Sequence, residues 1–273
     1  MTHPRSLVPT VPAGLAVALA EESPYAVAVS GGVDSLTLAA AVGALGADLL
    51  CVHATSPAVP AEATARTRLL ASARGWPLRV VDAGEFADPR YRANGLDRCY
   101  HCKSHLYDAV ARVAPGRVIL SGTNRDDLCD VRPGLRAAGE RGVRHPFVEA
   151  GLDKAAVRAL AAALGLGAVA TLPAAPCLSS RVEIGLRVDA ADLALAHTIE
   201  RMVRARLTPR TVRCRVRRTG LVVELDTATL DALDADARRA LIAAVRMRAP
   251  GRPVALAPYI MGGAVLTRQM AAE

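Results

Sequence analysis

The sequence predicts an α/β fold in which a parallel, doubly wound sheet is followed by a small α+β domain. Short, fully apolar runs alternate with helical stretches over roughly the first two thirds of the 273 residues. Such alternation is typical of a parallel sheet covered by helices on both faces. A segment rich in proline and small residues follows at 168–185, and the pattern changes beyond it. We therefore expect domains at 1–185 and 186–273.

Each element of the first predicted domain follows from its length and spacing, because short apolar runs suit strands and longer stretches with a 3.6-residue period suit helices. The sequence predicts strands at residues 26–29, 49–53, 78–81 and 118–121, and helices at 35–45, 61–74, 103–114 and 154–164. Ligands of such sheets bind beyond the carboxyl ends of the strands. The turn that follows the first strand would lie there.

The second predicted domain opens with a helix that Asp189 or Asp192 would cap. Its apolar stripe consists of Leu193, Ala196, Ile199, Val203 and Leu207. The segment TVRCRVRRTGLVVELD at 211–226 then alternates strictly, so its arginines share one face of a strand. A turn at Thr219 and Gly220, a helix at 230–248 and a strand at 254–257 complete the domain.

Composition argues against a membrane protein and for a reducing compartment. Apolar residues make up 52% of the chain, yet no uncharged apolar run reaches the roughly 18 residues that a membrane span requires. The first residues lack the order of a signal peptide. The six cysteines are scattered along the chain, as is typical of the cytoplasm, where cysteines bind metals, react or are buried. We expect a cytoplasmic protein.

The glycine loop at residues 30–35, SGGVDS, predicts an anion site at the start of a helix. It is neither the G-x-x-x-x-G-K-[ST] loop nor the G-x-G-x-x-G fingerprint. Gly31 and Gly32 let the backbone approach a phosphate, while Ser30 and Ser35 add hydroxyl donors. Asp34 beside a polyphosphate would be repelled unless it holds Mg²⁺ or caps the helix.

Three further motifs accompany this loop: RCYHCK at 98–103, GTNRDDLCDVRPGLRAAGERGVRHP at 122–146 and PCLSSR at 176–181. SGGVDS resembles the signature of the PP-loop ATP pyrophosphatases, a branch of the adenine-nucleotide alpha-hydrolase fold. In this order the motifs resemble the ATP-dependent sacrificial sulfur transferases of the LarE family. The resemblance covers about residues 24–185 and extends more weakly into the second domain.

The resemblance implies that ATP is cleaved between its α and β phosphates, that a substrate carboxylate is adenylated and that pyrophosphate is released. It implies that ATP and Mg²⁺ are bound by Ser30, Gly31, Gly32, Asp34, Ser35, Gly122, Thr123, Asn124 and Asp127. It also implies a homo-oligomer that thiolates a pyridinium dicarboxylate mononucleotide during synthesis of the nickel-pincer cofactor. The expected partner is thus a small phosphorylated molecule, and neither a membrane nor a nucleic acid.

Cys177 is the predicted reactive cysteine. It lies in a proline-rich loop, and Arg181 nearby would favour the thiolate, the form that attacks or binds a metal. The resemblance implies that Cys177, Asp34, Ser180 and Arg181 act in catalysis. In the sacrificial mechanism Cys177 attacks the acyl-adenylate, and cleavage of its carbon–sulfur bond leaves dehydroalanine. A buried structural cysteine is the alternative.

Cys99 and Cys102 form a C-x-x-C pair that suits a redox dithiol, half a zinc site or part of an iron–sulfur site. Candidates for further zinc ligands are His101, His105 and Cys129. LarE-like chains with all three motif cysteines resemble a version with a [4Fe–4S] cluster, here on Cys99, Cys102 and Cys177, whose fourth iron delivers sulfide. We favour this interpretation over the sacrificial route and over zinc or redox chemistry.

Two clusters of charge have both a functional and a structural interpretation. Asp126, Asp127 and Asp130 would contact ribose, Mg²⁺ or substrate, or would be solvated loop carboxylates; Cys129 is expected to pack. The strand arginines Arg213, Arg215 and Arg217 would form a cradle for the phosphate of the substrate, with Glu224 orienting one of them. Alternatively they would form a solvated edge that discourages aggregation.

The sequence departs from the LarE pattern at residues 169–171 and 257–259, which leaves the ATP chemistry intact and the acceptor open. Residues 187–273 hold 15 basic and 9 acidic residues of a chain with net charge +8, which favours a tRNA-thiolating relative as an alternative. Only two Phe, one Trp and five Tyr argue against an RNA-stacking surface. An ATP-dependent amidating enzyme and a nucleotide sensor without catalysis are further alternatives.

Overall fold

A computed structural model describes residues 11–20, 24–128 and 133–260. Its helices and strands are, in chain order, α1 (Ala13–Ala18), β1 (Tyr25–Ala28), α2 (Val33–Ala44), β2 (Leu49–Thr55), α3 (Ala61–Arg74), β3 (Leu78–Asp82), α4 (Pro89–Arg92), α5 (Arg98–Val113), β4 (Val118–Leu120), α6 (Pro133–Gly139), α7 (Pro146–Glu149), α8 (Lys154–Ala163), α9 (Ala190–Leu207), β5 (Val212–Arg217), β6 (Gly220–Leu225), α10 (Thr227–Asp231), α11 (Ala235–Arg246) and β7 (Val254–Pro258).

The chain divides into two compact units. The first consists of the described residues within Met1–Ser56, Ala61–Glu85 and Cys99–Ala175, and the second of those within Pro57–Pro60, Phe86–Arg98 and Pro176–Glu273. Two short stretches of the N-terminal half therefore belong to the second unit. That residues 1–185 and 186–273 form separate domains stays a prediction.

The first unit is built on a sheet of four parallel strands in the order β3-β2-β1-β4, flanked by helices. The strands β1 and β4 are almost wholly buried, as their unbroken apolar sequences require. Leu36, Leu38 and Val42 of α2 pack with Val27 of β1 in the main core. All four predicted strands and the predicted helices of this region are confirmed, although α5 begins five residues before the predicted start at 103.

The second unit contains a three-stranded sheet in the order β5-β6-β7, antiparallel between β5 and β6 and parallel between β6 and β7. Helix α9 packs on β5 through the predicted stripe, and Asp189 caps it by accepting from the Ala191 amide. The single helix predicted at 230–248 is wrong. Asp226 and Asp234 each cap a separate helix, α10 and α11, because each carboxylate accepts an amide three residues later.

None of the described helices is long and apolar enough to cross a membrane. Helix α1, which the proline-interrupted N-terminal sequence did not predict, buries Leu15 in the core of the first unit.

Candidate functional site

The glycine loop connects β1 to α2 and passes very close to α3. Gly31 has φ +80°, and a Cβ at this position would lie 2.6 Å from the Ala63 carbonyl oxygen. Arg66 of α3 donates from Nε to the Gly31 carbonyl at 2.7 Å. Only glycine combines this left-handed backbone with so close a neighbour, so the sequence requirement at Gly31 is steric.

The N-terminus of α2 is open for an anion. Gly32 is its N-cap residue and no side chain caps its first amides. The Ser30 and Ser35 hydroxyls lie 3.2 Å apart at this end, and the Ser30 amide donates to Ser35 Oγ at 3.0 Å. Uncapped amides at a helix N-terminus attract phosphate because their N–H groups and the helix dipole point the same way. The predicted role of residues 30–35 in holding ATP stays a prediction.

Asp34 lies in the first turn of α2, and its carboxylate forms an ion pair with Lys154. Lys154 Nζ is 2.7 Å from Oδ1 and 2.5 Å from Oδ2. Sequence reasoning missed Lys154, which begins α8 directly after its capping residue Asp153. A signal was present: the chain has only two lysines, Lys103 and Lys154, among 34 basic residues. Asp34 does not cap α2, and the Lys154 ammonium balances its charge.

The loop after β4 lies close to the glycine loop, as the predicted site requires. A Cβ at Gly122 would lie 2.8 Å from the Ser35 amide nitrogen. The Asn124 side chain reaches Asp34 Oδ1 at 3.4 Å, and the Asn124 amide donates to Asp127 Oδ2 at 3.2 Å. Thr123 Oγ1 lies 3.3 Å from the Ser121 hydroxyl. The structure thus brings 122–124 and 127 together with 30–35, at the carboxyl edge of the sheet.

The loop after β4 carries further acidic residues besides Asp127. Asp126 accepts from the Lys154 amide at 3.2 Å through Oδ2. Cys129 and Asp130, for which packing and ligand roles were predicted, lie outside the described residues. Mg²⁺ commonly binds through one or two carboxylates together with substrate phosphates. Asp34, which Lys154 now balances, and Asp127 are the carboxylates predicted for this role, and Mg²⁺ binding stays a prediction.

His53, at the carboxyl end of β2, is a buried residue that sequence reasoning did not single out. Its Nδ1 lies 2.7 Å from the Val29 carbonyl oxygen and its Nε2 lies 2.9 Å from Thr64 Oγ1. Nδ1 must donate to the carbonyl, so Nε2 accepts from the hydroxyl when the ring is neutral. Burial lowers the pKa of His53 below its ordinary value. His53 therefore supports the end of β1 as a neutral side chain.

Cys177 lies in the second unit, directly before a 3-10 turn at Leu178–Arg181. Its thiol is free and exposed. Its carbonyl accepts from the Ser180 amide at 3.0 Å and from Ser180 Oγ at 2.8 Å. The predicted residue Ser180 thus contacts the main chain of Cys177. Cys177 is not a buried structural cysteine.

Arg181, also predicted as catalytic, is buried with Glu200 of α9. The two side chains are only 4% and 1% exposed and form two hydrogen bonds, Nε to Oε1 at 2.9 Å and Nη2 to Oε2 at 3.0 Å. Burial alone would raise the pKa of the Glu200 carboxyl, but the Arg181 guanidinium and the Cys214 amide outweigh it and hold that pKa below its ordinary value. Sequence reasoning missed Glu200, which occupies a polar position on the inward face of α9.

The arginine face of β5 is largely buried. Arg215 donates to Glu224 of β6 at 2.8 Å, and Arg217 reaches the other Glu224 oxygen at 3.3 Å. Arg213 is buried too, and burial followed by the charge of Arg181 lowers the pKa of its guanidinium. The interpretation of these side chains as a solvated edge is therefore wrong for Arg213 and Arg215. The predicted pairing with Glu224 is present.

The predicted iron–sulfur ligands are distributed over both units. Cys99 and Cys102 lie three residues apart in the first turns of α5, in the first unit, and Cys177 belongs to the second. Within the ranges that the structure describes, no group of three or more His, Cys, Asp or Glu side chains is placed to hold a metal ion. Thiolates suit iron chemically, and the cluster on these three cysteines stays a prediction.

No protein-family model matches the chain. An uncharacterized protein of Synechocystis sp. strain PCC 6803 is 39% identical over 171 residues, which cover 61% of this chain and 63% of that protein, less than two thirds of its length. An uncharacterized protein of Methanocaldococcus jannaschii is 26% identical over 181 residues, 65% of this chain and 68% of that protein. The pyridinium-3,5-bisthiocarboxylic acid mononucleotide synthase of Lactiplantibacillus plantarum is 32% identical over 227 residues, 81% of each chain.

The chain belongs to the family of this synthase, the LarE family. The sequence departs from the LarE pattern at residues 257–259, where β7 ends. Tyr259 continues the sheet by donating its amide to the Leu225 carbonyl at 2.7 Å. The Arg213 guanidinium lies 5.7 Å from the centroid of the Tyr259 ring. Tyr259, one of the residues at which the sequence departs from the LarE pattern, thus lies against Arg213, one of the predicted cradle arginines.

Proposed function

We propose that this chain is an ATP-dependent sulfur transferase that adenylates a substrate carboxylate, releases pyrophosphate and replaces a carboxylate oxygen with sulfur. The observation that carries the proposal is the free, exposed thiol of Cys177 on a segment whose main chain is held by buried groups, in a chain of the LarE family. A reactive cysteine requires access for the thiol together with a fixed position.

The first half of the reaction would take place at the glycine loop. The open amides of α2 and the hydroxyls of Ser30 and Ser35 would hold the phosphates that leave as pyrophosphate. Lys154, which balances Asp34 at 2.5 Å, would move to the phosphates when Asp34 takes Mg²⁺. Mg²⁺, when bound, would neutralise phosphate charge. The carboxylate oxygen of the substrate attacks the α phosphorus, and the bond to the β-phosphate oxygen breaks.

The second half would use Cys177. Its thiolate attacks the carbonyl carbon of the acyl-adenylate, AMP leaves with the electron pair, and a thioester forms. A base then removes the proton from the Cys177 Cα, the Cβ–S bond breaks, and the sulfur leaves on the substrate as a thiocarboxylate. The chain is left with dehydroalanine at position 177. No external oxidant or reductant is needed.

Two other cysteines are unsuited to this step. Burial raises the pKa of both Cys51 and Cys214 to about 12, so that almost no thiolate forms at neutral pH. Cys99 is exposed and remains a competitor of Cys177 as the sulfur donor. The cluster on Cys99, Cys102 and Cys177, favoured by sequence, is the alternative sulfur source; it would spare Cys177, and the experiment below separates it from the sacrificial route.

The substrate we propose is a pyridinium dicarboxylate mononucleotide, because the Lactiplantibacillus plantarum relative is named as the synthase of a pyridinium bisthiocarboxylic acid mononucleotide. Arg215 and Arg217, oriented by Glu224, would bind its phosphate. Thiolation of a tRNA stays the alternative, and the small number of aromatic side chains argues against it. Assembly as a homo-oligomer stays a prediction.

The test supplies ATP, Mg²⁺ and pyridinium-3,5-dicarboxylate mononucleotide, and measures pyrophosphate and thiocarboxylate separately. We expect Cys177→Ala to release pyrophosphate without forming thiocarboxylate, and Asp34→Asn to lose most of both. We expect Cys99→Ser to form both products, because the proposal assigns the sulfur to Cys177 and not to its exposed competitor Cys99. Thiocarboxylate production by Cys177→Ala at the wild-type rate would contradict the proposal, whereas iron and acid-labile sulfide in the protein together with loss of activity in Cys99→Ser would favour the cluster.

A further inference from the structure

Arg181 is almost fully committed to groups of the protein. Besides its two bonds to Glu200, its Nη1 donates to the Pro176 carbonyl at 2.8 Å, to Ser180 Oγ at 3.0 Å and to the Cys177 carbonyl at 3.3 Å. A guanidinium has only a small, fixed set of N–H donors, and these contacts use nearly all of them. Little remains of Arg181 to contact a substrate or the thiol.

Glu200 holds the Arg181 guanidinium in place and is itself held by β5. Its Oε1 also accepts from the Cys214 amide of β5 at 3.0 Å. The carboxylate therefore ties α9, β5 and Arg181 together, and its negative charge balances that of the guanidinium. A buried Arg–carboxylate pair with two parallel bonds is geometrically specific, because the planar fork admits few orientations.

The rest of the thiol segment, residues 176–183, is held in the same way through its main chain. Arg215 donates to the Ser180 carbonyl at 2.9 Å, and the Glu183 amide donates to the Val216 carbonyl at 2.9 Å. The Ser179 hydroxyl lies 2.6 Å from Tyr91 Oη. These groups all belong to the second unit. The main chain on both sides of Cys177 is thus fixed, while its side chain is exposed.

We propose that Arg181 is a positioning residue rather than a catalytic one: the Arg181–Glu200 pair fixes the main chain at Cys177 and so sets the direction in which the thiol points. The inference rests on the proposed function, in which Cys177 donates the sulfur. It replaces the expectation from sequence that Arg181 favours the thiolate by its charge. Glu200 neutralises that charge, and the guanidinium contacts carbonyl oxygens instead of the thiol.

The two roles of Arg181 predict opposite results for a substitution that keeps the charge. Lysine supplies a positive charge but not the planar fork that reaches Glu200 and the Pro176 carbonyl together. An electrostatic role predicts that Arg181→Lys retains sulfur transfer. A positioning role predicts that Arg181→Lys forms at least about 10-fold less thiocarboxylate per pyrophosphate released, a loss that corresponds to about 1.4 kcal/mol of orientation energy.

The experiment compares wild type, Arg181→Lys and the double variant Arg181→Met/Glu200→Gln, which removes both charges and keeps an acceptor for the Cys214 amide. The matched control is Arg117→Lys, because Arg117 likewise forms two bonds to a carboxylate, Asp48, at 2.9 and 3.1 Å and one to the Tyr25 carbonyl at 3.2 Å, all within the first unit. Two readouts do not depend on activity: amide hydrogen exchange of a peptide spanning 176–183, and alkylation of Cys177 by iodoacetamide as a function of pH.

We expect the amides of residues 176–183 to exchange faster than in wild type in both Arg181 variants. The control Arg117→Lys should exchange at the wild-type rate in this segment. We expect the pH midpoint of Cys177 alkylation to stay within about 0.5 units of wild type in the double variant, since the pair carries no net charge. A midpoint raised by about one unit or more, or full sulfur transfer by Arg181→Lys, would overturn the inference. If the double variant does not fold, exchange and product ratio in Arg181→Lys decide alone.

Failure of this inference and failure of the proposed function are distinguishable. Unchanged exchange in 176–183 would remove the positioning role, even if Cys177→Ala confirms Cys177 as the donor. Thiocarboxylate formation by Cys177→Ala would remove the proposed sulfur source, whatever the exchange data say about Arg181.

Discussion

The glycine loop and the thiol segment place charged groups in opposite ways. At the glycine loop, the Lys154–Asp34 pair is 31% and 26% exposed, and the first amides of α2 have no side-chain cap. In the thiol segment, Arg181 is buried with Glu200 of α9, and the two satisfy each other and the neighbouring main chain. The first region leaves donors open for a charged ligand. The second uses its charges to hold its own backbone.

This difference has an energetic consequence. A partly exposed ion pair typically contributes about 0–1 kcal/mol to folding, whereas removing one partner of a buried pair costs about 3–5 kcal/mol because a charge stays buried without compensation. Substitutions of the ion pair at the glycine loop should therefore reduce binding more than stability. Substitutions in the thiol segment should do the reverse, and the predictions below test that contrast.

The largest effect is expected for Glu200→Ala, which leaves the Arg181 charge buried. We expect the free energy of unfolding of the second unit to fall by about 3–5 kcal/mol. Asp34→Ala, the matched change at the glycine loop, should lower the free energy of unfolding of the first unit by less than about 1 kcal/mol. Urea denaturation followed by circular dichroism measures both. Equal losses in the two variants would remove the contrast.

Gly31→Ala should follow in size, because it combines a left-handed backbone with a Cβ 2.6 Å from the Ala63 carbonyl oxygen. We expect a loss of about 2–3 kcal/mol in stability together with loss of measurable ATP binding. Gly46→Ala is the control: its φ is +71°, and nothing in the described part of the chain lies within 4 Å of its added Cβ. It should lose only about 1 kcal/mol and bind ATP normally.

Lys154→Met should weaken ATP binding about 10-fold, or 1.4 kcal/mol, and change the stability by less than about 1 kcal/mol. The loss arises because no ammonium is available for the phosphates. A double-mutant cycle with Asp34→Asn, measured by calorimetric titration of Mg·ATP, gives the coupling between the two side chains. Wild-type affinity in Lys154→Met would show that the lysine only balances Asp34.

The smallest effect concerns pH. Burial lowers the pKa of His53 in the folded chain, so the unfolded chain takes up a proton first, near its ordinary pKa of about 6.5. Stability should therefore be constant above about pH 6.5 and decline as the pH falls toward the folded pKa. The decline should be shallower in His53→Gln. Identical pH profiles of unfolding for the two proteins would contradict the assignment of His53 as a buried neutral ring.

The parts of the molecule that the sequence predicted well depend on local pattern. The apolar runs of β1 and β4 are typical of buried parallel strands. The pattern of residues 211–226 predicts the two neighbouring strands β5 and β6. The SGGVDS loop also identifies its own geometry, since Gly31 and the open N-terminus of α2 are properties of that segment.

What the sequence did not predict depends on long-range pairing. Lys154 meets Asp34 across 120 positions of the chain, and Glu200 meets Arg181 from another helix. A strictly alternating strand predicts that Arg213 and Arg215 share a face, but not that the face is buried. The pairing of Arg181 was not predicted for the same reason: the partner that neutralises its charge lies 19 residues away.

The central claim, that Cys177 gives up its own sulfur, is tested most directly by the intact mass of the chain before and after one turnover with ATP, Mg²⁺ and pyridinium-3,5-dicarboxylate mononucleotide. We predict a loss of about 34 Da, the mass of H₂S, assigned to the peptide that contains Cys177. An unchanged mass after repeated formation of thiocarboxylate would contradict it.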